Sequence, residues 1–313
     1  MKALVTGGAG FIGSALCASL VKGGHEVTAF DNLSSGSEKN LAALSRSPGF
    51  RFVKGDCKVE EDVTEALRDA NTVFHLAANP EVRQERASPR ESFDENVVAT
   101  KVLLEAVRGS DVREMVFAST STVYGEPTVL PTPESYSPLV PISVYGATKL
   151  ASEALVSAFA KSFSFDARIL RLANIVGPRG AHGVIFDFVR KLRRDPTRLV
   201  ILGDGTQRKS YLYVDDCVRA MIEVLHREER VSFYNVGSKD QVSVTEIADI
   251  ICGEMEVSPA YRFTGGVDGG RGWRGDVKEM LLDTARIESL GWRPKYDSAQ
   301  AVRKTAFEIL KKG

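Results

Sequence analysis

Gly7, Gly10 and Gly13 stand at every third position between a short apolar run over residues 3–6 and a helical hydrophobic pattern over residues 11–21. Few features restrict a fold as much. A strand that turns at once into a helix needs a tight turn, close approach of backbone to a ligand, and intimate helix–strand packing, and glycine serves all three. The alternation then continues. Residues 27–30, 50–53, 73–76 and 115–118 are short β-rich runs, with helical patterns near residues 59–68 and 95–107. This order predicts an α/β fold: a doubly wound parallel sheet of the Rossmann kind, with helices on both faces.

After a run at residues 169–172 the regularity loosens, and Gly-Pro-Arg-Gly at 177–180 reads as a loop. A chain of 313 residues suits two domains. We expect a dinucleotide-binding unit over residues 1–175 and a smaller C-terminal α/β unit over residues 176–313. Residues 210–236 should recross to the first sheet through a helix over 211–225 and a strand over 233–236. Further helices are expected over 245–252 and 298–310.

Lys+Arg and Asp+Glu both number 41, so no net field recruits nucleic acid or an anionic membrane. Cys17, Cys57, Cys217 and Cys252 are scattered, which suggests buried thiols rather than a disulfide framework or a metal site. A first strand near residue 2 leaves no room for a signal peptide, and no apolar run approaches membrane-spanning length. A cytoplasmic location is the expectation.

The glycine turn opens a helix whose free N–H groups and positive dipole end suit a pyrophosphate. Asp31 ends the second strand eighteen residues past Gly13, where a carboxylate meets adenosine ribose hydroxyls. It would repel a 2′-phosphate, so NAD is expected over NADP. The competing role for Asp31 is capping the turn before Asn32. Asp56 closes the third strand and suits the adenine amino group.

Tyr145 and Lys149, four apart, share one helix face. A phenol titrates near pH ~10, so a phenolate at neutrality needs a shift of about three units, ~4 kcal/mol. One ammonium at ~4 Å and an effective dielectric of ~20 supplies about that much. An oxidised nicotinamide ring would complete the shift.

With these residues assembled, the chain resembles the extended short-chain dehydrogenase/reductases and, within them, the UDP-glucose (UDP-galactose) 4-epimerases. The resemblance runs nearly end to end. It rests on the glycine loop, Asp31-Asn32-Leu33-Ser34-Ser35-Gly36, Asp56, His75-Leu76-Ala77-Ala78, Asn96, Thr120, Tyr145 with Lys149, Arg171-Leu172-Ala173-Asn174, and Gly203-Asp204-Gly205 leading to Tyr213-Val214-Asp215-Asp216.

The resemblance implies Tyr145 as general base, Lys149 as its electrostatic partner on the nicotinamide ribose, and Thr120 against the sugar 4′-hydroxyl. Asn96 would support the helix carrying the base, and His75 would be structural. Phe11, Ile12, Asn32, Ser34, Ser35, Gly36, Cys57, Leu76, Ala77, Ala78, Asn96, Ser119 and Ala173 would complete the NAD site. Asn174 would meet the diphosphate or sugar. Val184, Val200 and Leu202 would flank the uracil. Either Arg208 or Lys209 takes the phosphate side; Arg271 is the first choice for the diphosphate and Arg274 the second, with Asp276 on the ribose. Met280 would gate room for an N-acetyl group. The family also implies a homodimer through residues 95–107 and 145–162.

Ser121 and Thr122 follow Thr120, where related 4,6-dehydratases carry Asp-Glu and similar decarboxylases carry a Glu. Without that acid and base, elimination and decarboxylation are disfavoured. There remains hydride removal from C4, turning of the 4-keto sugar and hydride return, interconverting UDP-glucose and UDP-galactose. The alternatives are a 4-epimerase of a UDP-N-acetylhexosamine or UDP-uronate, an NAD(H)-exchanging reductase, and a non-catalytic NAD sensor.

Overall fold

The computed structural model of the chain describes residues 1–83, 88–180 and 182–311. The first half builds β1 (Lys2–Thr6), α1 (Phe11–Lys22), β2 (Glu26–Asp31), β3 (Phe50–Lys54), α2 (Glu60–Leu67) and β4 (Thr72–His75). Next come α3 (Pro89–Phe93), α4 (Ala99–Arg108), β5 (Glu114–Thr120), α5 (Val144–Phe163) and β6 (Asp166–Leu172). The second half adds β7 (Asn174–Val176), α6 (Val184–Arg194), β8 (Arg198–Ile201), β9 (Arg208–Lys209), β10 (Tyr211–Tyr213), α7 (Val214–Glu223) and β11 (Val231–Val236). It closes with β12 (Val242–Ser243), α8 (Val244–Met255), β13 (Ala260–Phe263), β14 (Glu279–Met280), α9 (Ala285–Glu288) and α10 (Ser298–Lys311).

Seven strands form one sheet in the order β11–β6–β5–β4–β1–β2–β3, every pairing parallel. The strands are short and apolar because both sheet faces are covered. Leu16, Cys17 and Leu20 of α1 pack with Cys217, Val218 and Met221 of α7 in one core cluster. Val63 of α2, Leu103, Leu104 and Val107 of α4, and Val156 and Ala160 of α5 pack in another. This is the doubly wound α/β arrangement expected.

Strand order reverses at β1, whose neighbours are β2 and β4. Their helical connections diverge there and leave a crevice beyond the carboxyl ends of β1 and β4, which is where such sheets bind ligands. Thr6 pairs with His75 at that edge, so Gly7 and Leu76 open it from either side. The chain returns from β10 through α7 to pair β11 with β6.

The remaining strands build smaller sheets: β7 with β10, β8 with β13, and β12–β9–β14. A third cluster, including Ile185, Phe188, Leu192, Ile247, Ile251, Val302 and Ala306, joins α6, α8 and α10. Two expectations need correction. Residues 211–213 are strand, not helix, because Tyr-Leu-Tyr pairs in register with Asn174, Ile175 and Val176. The helix expected over 95–107 begins as a π turn, Asp94–Val98, before α4.

Phe74 lies inside β4, fully buried between core layers. Phe74→Ala should lower the unfolding free energy by about 3–5 kcal/mol, read from chemical denaturation.

Candidate active site

The glycine turn is a backbone cradle that no other residue fits. Gly7 has φ +68°, and a Cβ on Gly13 would stand 2.1 Å from the Gly7 carbonyl oxygen. A Cβ on Gly7 would stand 2.8 Å from the Ala77 nitrogen. The first turn of α1 can therefore press onto the strand end and present its N–H groups to the crevice. Gly10 is its N-cap, and Phe11 and Ile12 pack against Tyr213, Val214 and Ala301 from the second half.

Asp31 is buried at the end of β2, where it accepts from Ala9 N at 3.0 Å and Leu33 N at 2.8 Å. It thus caps the turn as well as facing the crevice. Gly36 passes so close that a Cβ there would lie 2.8 Å from the Asp31 carboxylate. Asn32 donates to Asp56 at 3.2 Å and accepts from Ser34 N, while Ser34 and Ser35 are exposed at the rim. Burial alone would raise Asp56. Hydrogen bonds from Lys58 N–H and Asn32, with the Lys58 ammonium, bring it below the usual carboxylate range instead. Cys57 is buried, and burial pushes its thiol up. Across the crevice, Leu76 N and Ala77 N each donate to Thr6 Oγ1 at 3.2 Å, with Ala78 following them. His75 is fully buried between Thr6 and Thr100, and burial lowers it to about 3, so it is a neutral structural strut. This donor-rich glycine cradle with a carboxylate at the second strand fits a dinucleotide such as NAD.

Tyr145 stands in the first turn of α5, which Ser143 caps by accepting from Gly146 N at 3.1 Å. Gly146 permits close docking, because a Cβ there would sit 2.8 Å from the Thr122 carbonyl oxygen. The helix face carrying Tyr145 and Lys149 therefore lies against β5. Thr120 ends that strand, caps the 3-10 turn Ser121–Tyr124 and lies beside the Tyr145 phenol, whose pKa it helps hold down. Lys149 is 2% exposed, its ammonium 4.1 Å above the centre of the Phe117 ring.

The electrostatic balance differs from the expectation. Burial pushes Tyr145 up to about 12, only partly offset by Thr120. Burial lowers Lys149 to about 7, opposed by Glu153. Desolvation penalises both charged forms, so in the protein alone the pair does not make a phenolate.

Asn96 ties the constellation together. It accepts from Asn79 N at 2.8 Å and donates to Thr148 Oγ1 at 2.9 Å, and its carbonyl accepts from Ser152 at 3.0 Å. The π turn that displaces this residue is of a kind found at functional sites. Below it, Glu153 accepts from Ser119 and from Arg171, whose Nη2 is 2.8 Å away in a buried pair. Arg171 also donates to Tyr124 Oη at 3.0 Å, which donates to Asn235 at 2.7 Å. Asn235 in turn reaches the carbonyls of Thr132 and Asp283. Glu153, Tyr124 and Asn235 were not singled out from sequence, because their partners are up to 111 residues away.

On the opposite side, Lys209 pairs with buried Asp276 at 2.5 Å. Arg208 does not share that site. Adjacent strand residues face opposite ways, and Arg208 turns to Glu246 on α8 at 3.4 Å. Arg274 is also displaced, 74% exposed beside Asp268. Arg271 is close but committed: it donates from Nε to the Asp276 carbonyl at 3.1 Å, from Nη1 to Asp268 and from Nη2 to Glu126. Asn174 donates to the Ser210 carbonyl at 3.3 Å. Buried Met280 and Ala173 share a cluster with Val123, Tyr124 and Leu282. Val184 begins α6, Val200 lies in β8, and a Cβ on Gly272 would meet Leu202 at 3.6 Å.

Among the described residues no group of three or more His, Cys, Asp or Glu side chains could hold a metal ion. No helix among them is long and apolar enough to cross a membrane.

Residues 3–237 match the model of the NAD-dependent epimerase/dehydratase family. The chain belongs to that family. The family is NAD dependent. The chain is 35% identical to the UDP-glucose 4-epimerase of Mycolicibacterium smegmatis, covering 97% of each chain. Its structure is similar to that of a UDP-galactose 4-epimerase at TM-score 0.89 and 44% identity, covering 100% of this chain and 99% of the other. It is also similar to the UDP-glucuronic acid 4-epimerase of Bacillus cereus, solved with UDP-glucuronic acid and NAD, at TM-score 0.90 and 29% identity with 100% of both chains covered.

Two outcomes follow from the buried charges. Lys149 lies near 7 in the fold and near ~10.4 when unfolded, so across that window the unfolded chain binds the extra proton and stability falls as pH falls. In NAD-free protein, Lys149→Met removes this penalty. Its unfolding free energy relative to the parent should be more favourable at about pH 6 than at about pH 9.5. Arg171→Met strands the Glu153 carboxylate and should cost about 3–5 kcal/mol in a denaturation experiment, with Glu153→Gln less harmful in the Arg171→Met background than alone.

Proposed function

We propose that the chain is an NAD-dependent UDP-sugar 4-epimerase that interconverts UDP-glucose and UDP-galactose. The observation that carries this reading is the meeting of Thr120, Tyr145 and Lys149 on one side of the crevice, with Ser121 and Thr122 where elimination would need an acid and a base. The family supports the cofactor, and the UDP-glucose and UDP-galactose epimerases among its relatives support the sugar.

Tyr145 takes the proton of the sugar 4′-hydroxyl, directly or through Thr120, and returns it to the same oxygen once the 4-keto sugar has turned its other face. NAD, when bound, supplies the acceptor and donor of the C4 hydride and a positive ring charge beside the phenol. Burial holds the phenol near 12, so Lys149 and the positive end of α5 must act against desolvation. Glu153 favours the charged lysine. Asn96 keeps α5 against the loop after β4.

Residues 1–175 hold the dinucleotide in this reading and residues 176–313 hold the nucleotide sugar, with Asn174, Lys209 and Asp276 on the substrate side. Val184, Val200 and Leu202 face the base, Met280 limits the room beside the sugar, and Arg271 fixes the loop that carries Asp276. The chain works as a homodimer through α4 and α5; the outward Phe163 at the end of α5, 41% exposed, supports that surface.

Purified protein, with no NAD added, should convert UDP-galactose to UDP-glucose. The same incubation with UDP-N-acetylhexosamines and UDP-uronates tests the sugar: faster turnover of either would reassign the substrate, and dependence on added NADH would point to a reductase. Tyr145→Phe should lower kcat at least ~10²–10⁴-fold while NAD content stays unchanged. Near-native turnover in that variant would refute the assignment of the base.

A further inference from the structure

Arg271 is engaged by the Asp276 carbonyl, Asp268 and Glu126 in the chain alone, so the donors beside it bear on how an anionic substrate is held. The loop carrying Asp276 also carries Trp273, and two cations from distant segments converge on its ring. Arg83, in the loop after β4, lies 4.7 Å from the ring centroid, and Lys209 of β9 lies 5.6 Å from it. The negative face of an indole attracts each cation, but gathering two like charges on one ring calls for an anion beside them. Asp276 answers for Lys209. No carboxylate among the described residues lies within ion-pair distance of Arg83. The Trp273 Nε1–H is moreover buried with no acceptor. Buried donors are nearly always paired in native folds, and this one belongs to the ring that the two cations approach.

We infer that Trp273 is a diphosphate-binding residue: its indole N–H donates to a phosphate oxygen of the nucleoside diphosphate, and its ring holds Arg83 and Lys209 beside the same group. The inference deepens the epimerase reading and rests on it for the substrate class. It transfers the diphosphate contact from Arg271, whose part is to shape the loop. Charge-assisted hydrogen bonds are among the strong ones, so the contact belongs to affinity rather than to the acid–base step.

The chain offers a direct readout. It has two tryptophans, and the second, Trp292, is buried with its N–H donated to the Asp216 carbonyl at 3.0 Å. UDP added to the NAD-loaded protein should perturb the fluorescence of Trp273. Calorimetric titration of Trp273→Phe, which keeps a ring and loses the donor, should show UDP affinity weakened about tenfold to a hundredfold, with uridine affinity unchanged. Arg83→Gln should weaken UDP binding in the same selective way, and it keeps the question answerable if the aromatic variant does not fold. UDP affinity at the native level in either folded variant would overturn the inference. Equal losses for UDP and uridine would also overturn it, because the ring would then be packing against the base or merely supporting the loop. Failure of the parent protein to bind UDP would overturn the epimerase reading together with it.

Discussion

The contact between Gly13 and the Gly7 carbonyl is the constraint on which the rest is built. A helix that rests directly on the turn leaving β1 puts its N-terminal N–H groups over the point where strand order reverses. Every other feature of the crevice takes its position from that placement: Asp31 at the end of the next strand, and Thr6 gathering the N–H groups of Leu76 and Ala77. A methyl group at Gly13 would push the helix off the strand and carry its positive end away from the crevice.

The opposite wall faces a conflict between packing and charge. Close docking of α5 through Gly146 brings Tyr145 and Lys149 to β5, yet the same closeness buries Lys149 fully and Tyr145 in part. Desolvation opposes the phenolate and the ammonium together, which is why spacing along a helix does not by itself make a base. The buried Glu153–Arg171 pair counters this only in part. Two charges of the pair largely cancel, so Glu153 favours the lysine without flooding the site with negative potential. A positive charge brought beside Tyr145 would therefore favour its phenolate.

Much of this was legible in the sequence where physics acts over short range. The glycine turn, the alternation of strand and helix, and the four-residue step from Tyr145 to Lys149 are local, and the structure follows them closely. Short-range reasoning failed at Tyr211, where a helical pattern was overruled by pairing with a strand 37 residues earlier (Tyr211 on Asn174). It could not divide Arg208 from Lys209 until β9 was known to be a strand, which sends them to opposite faces. The contact of Arg271 with Glu126 was not legible either, because Glu126 comes from another segment altogether. Ser119, Glu153, Arg171, Tyr124 and Asn235 belong to one hydrogen-bonded chain that only the fold assembles.

Asn96 has a mechanical meaning. One amide side chain joins the loop containing Asn79 to α5, and the backbone carbonyl of Asn96 accepts from Ser152 of the same helix. The segment leading to Arg83 and the first turns of α5 therefore cannot shift independently. A displacement of that loop would be carried by the Asn96 amide to the turn of α5 beside Tyr145.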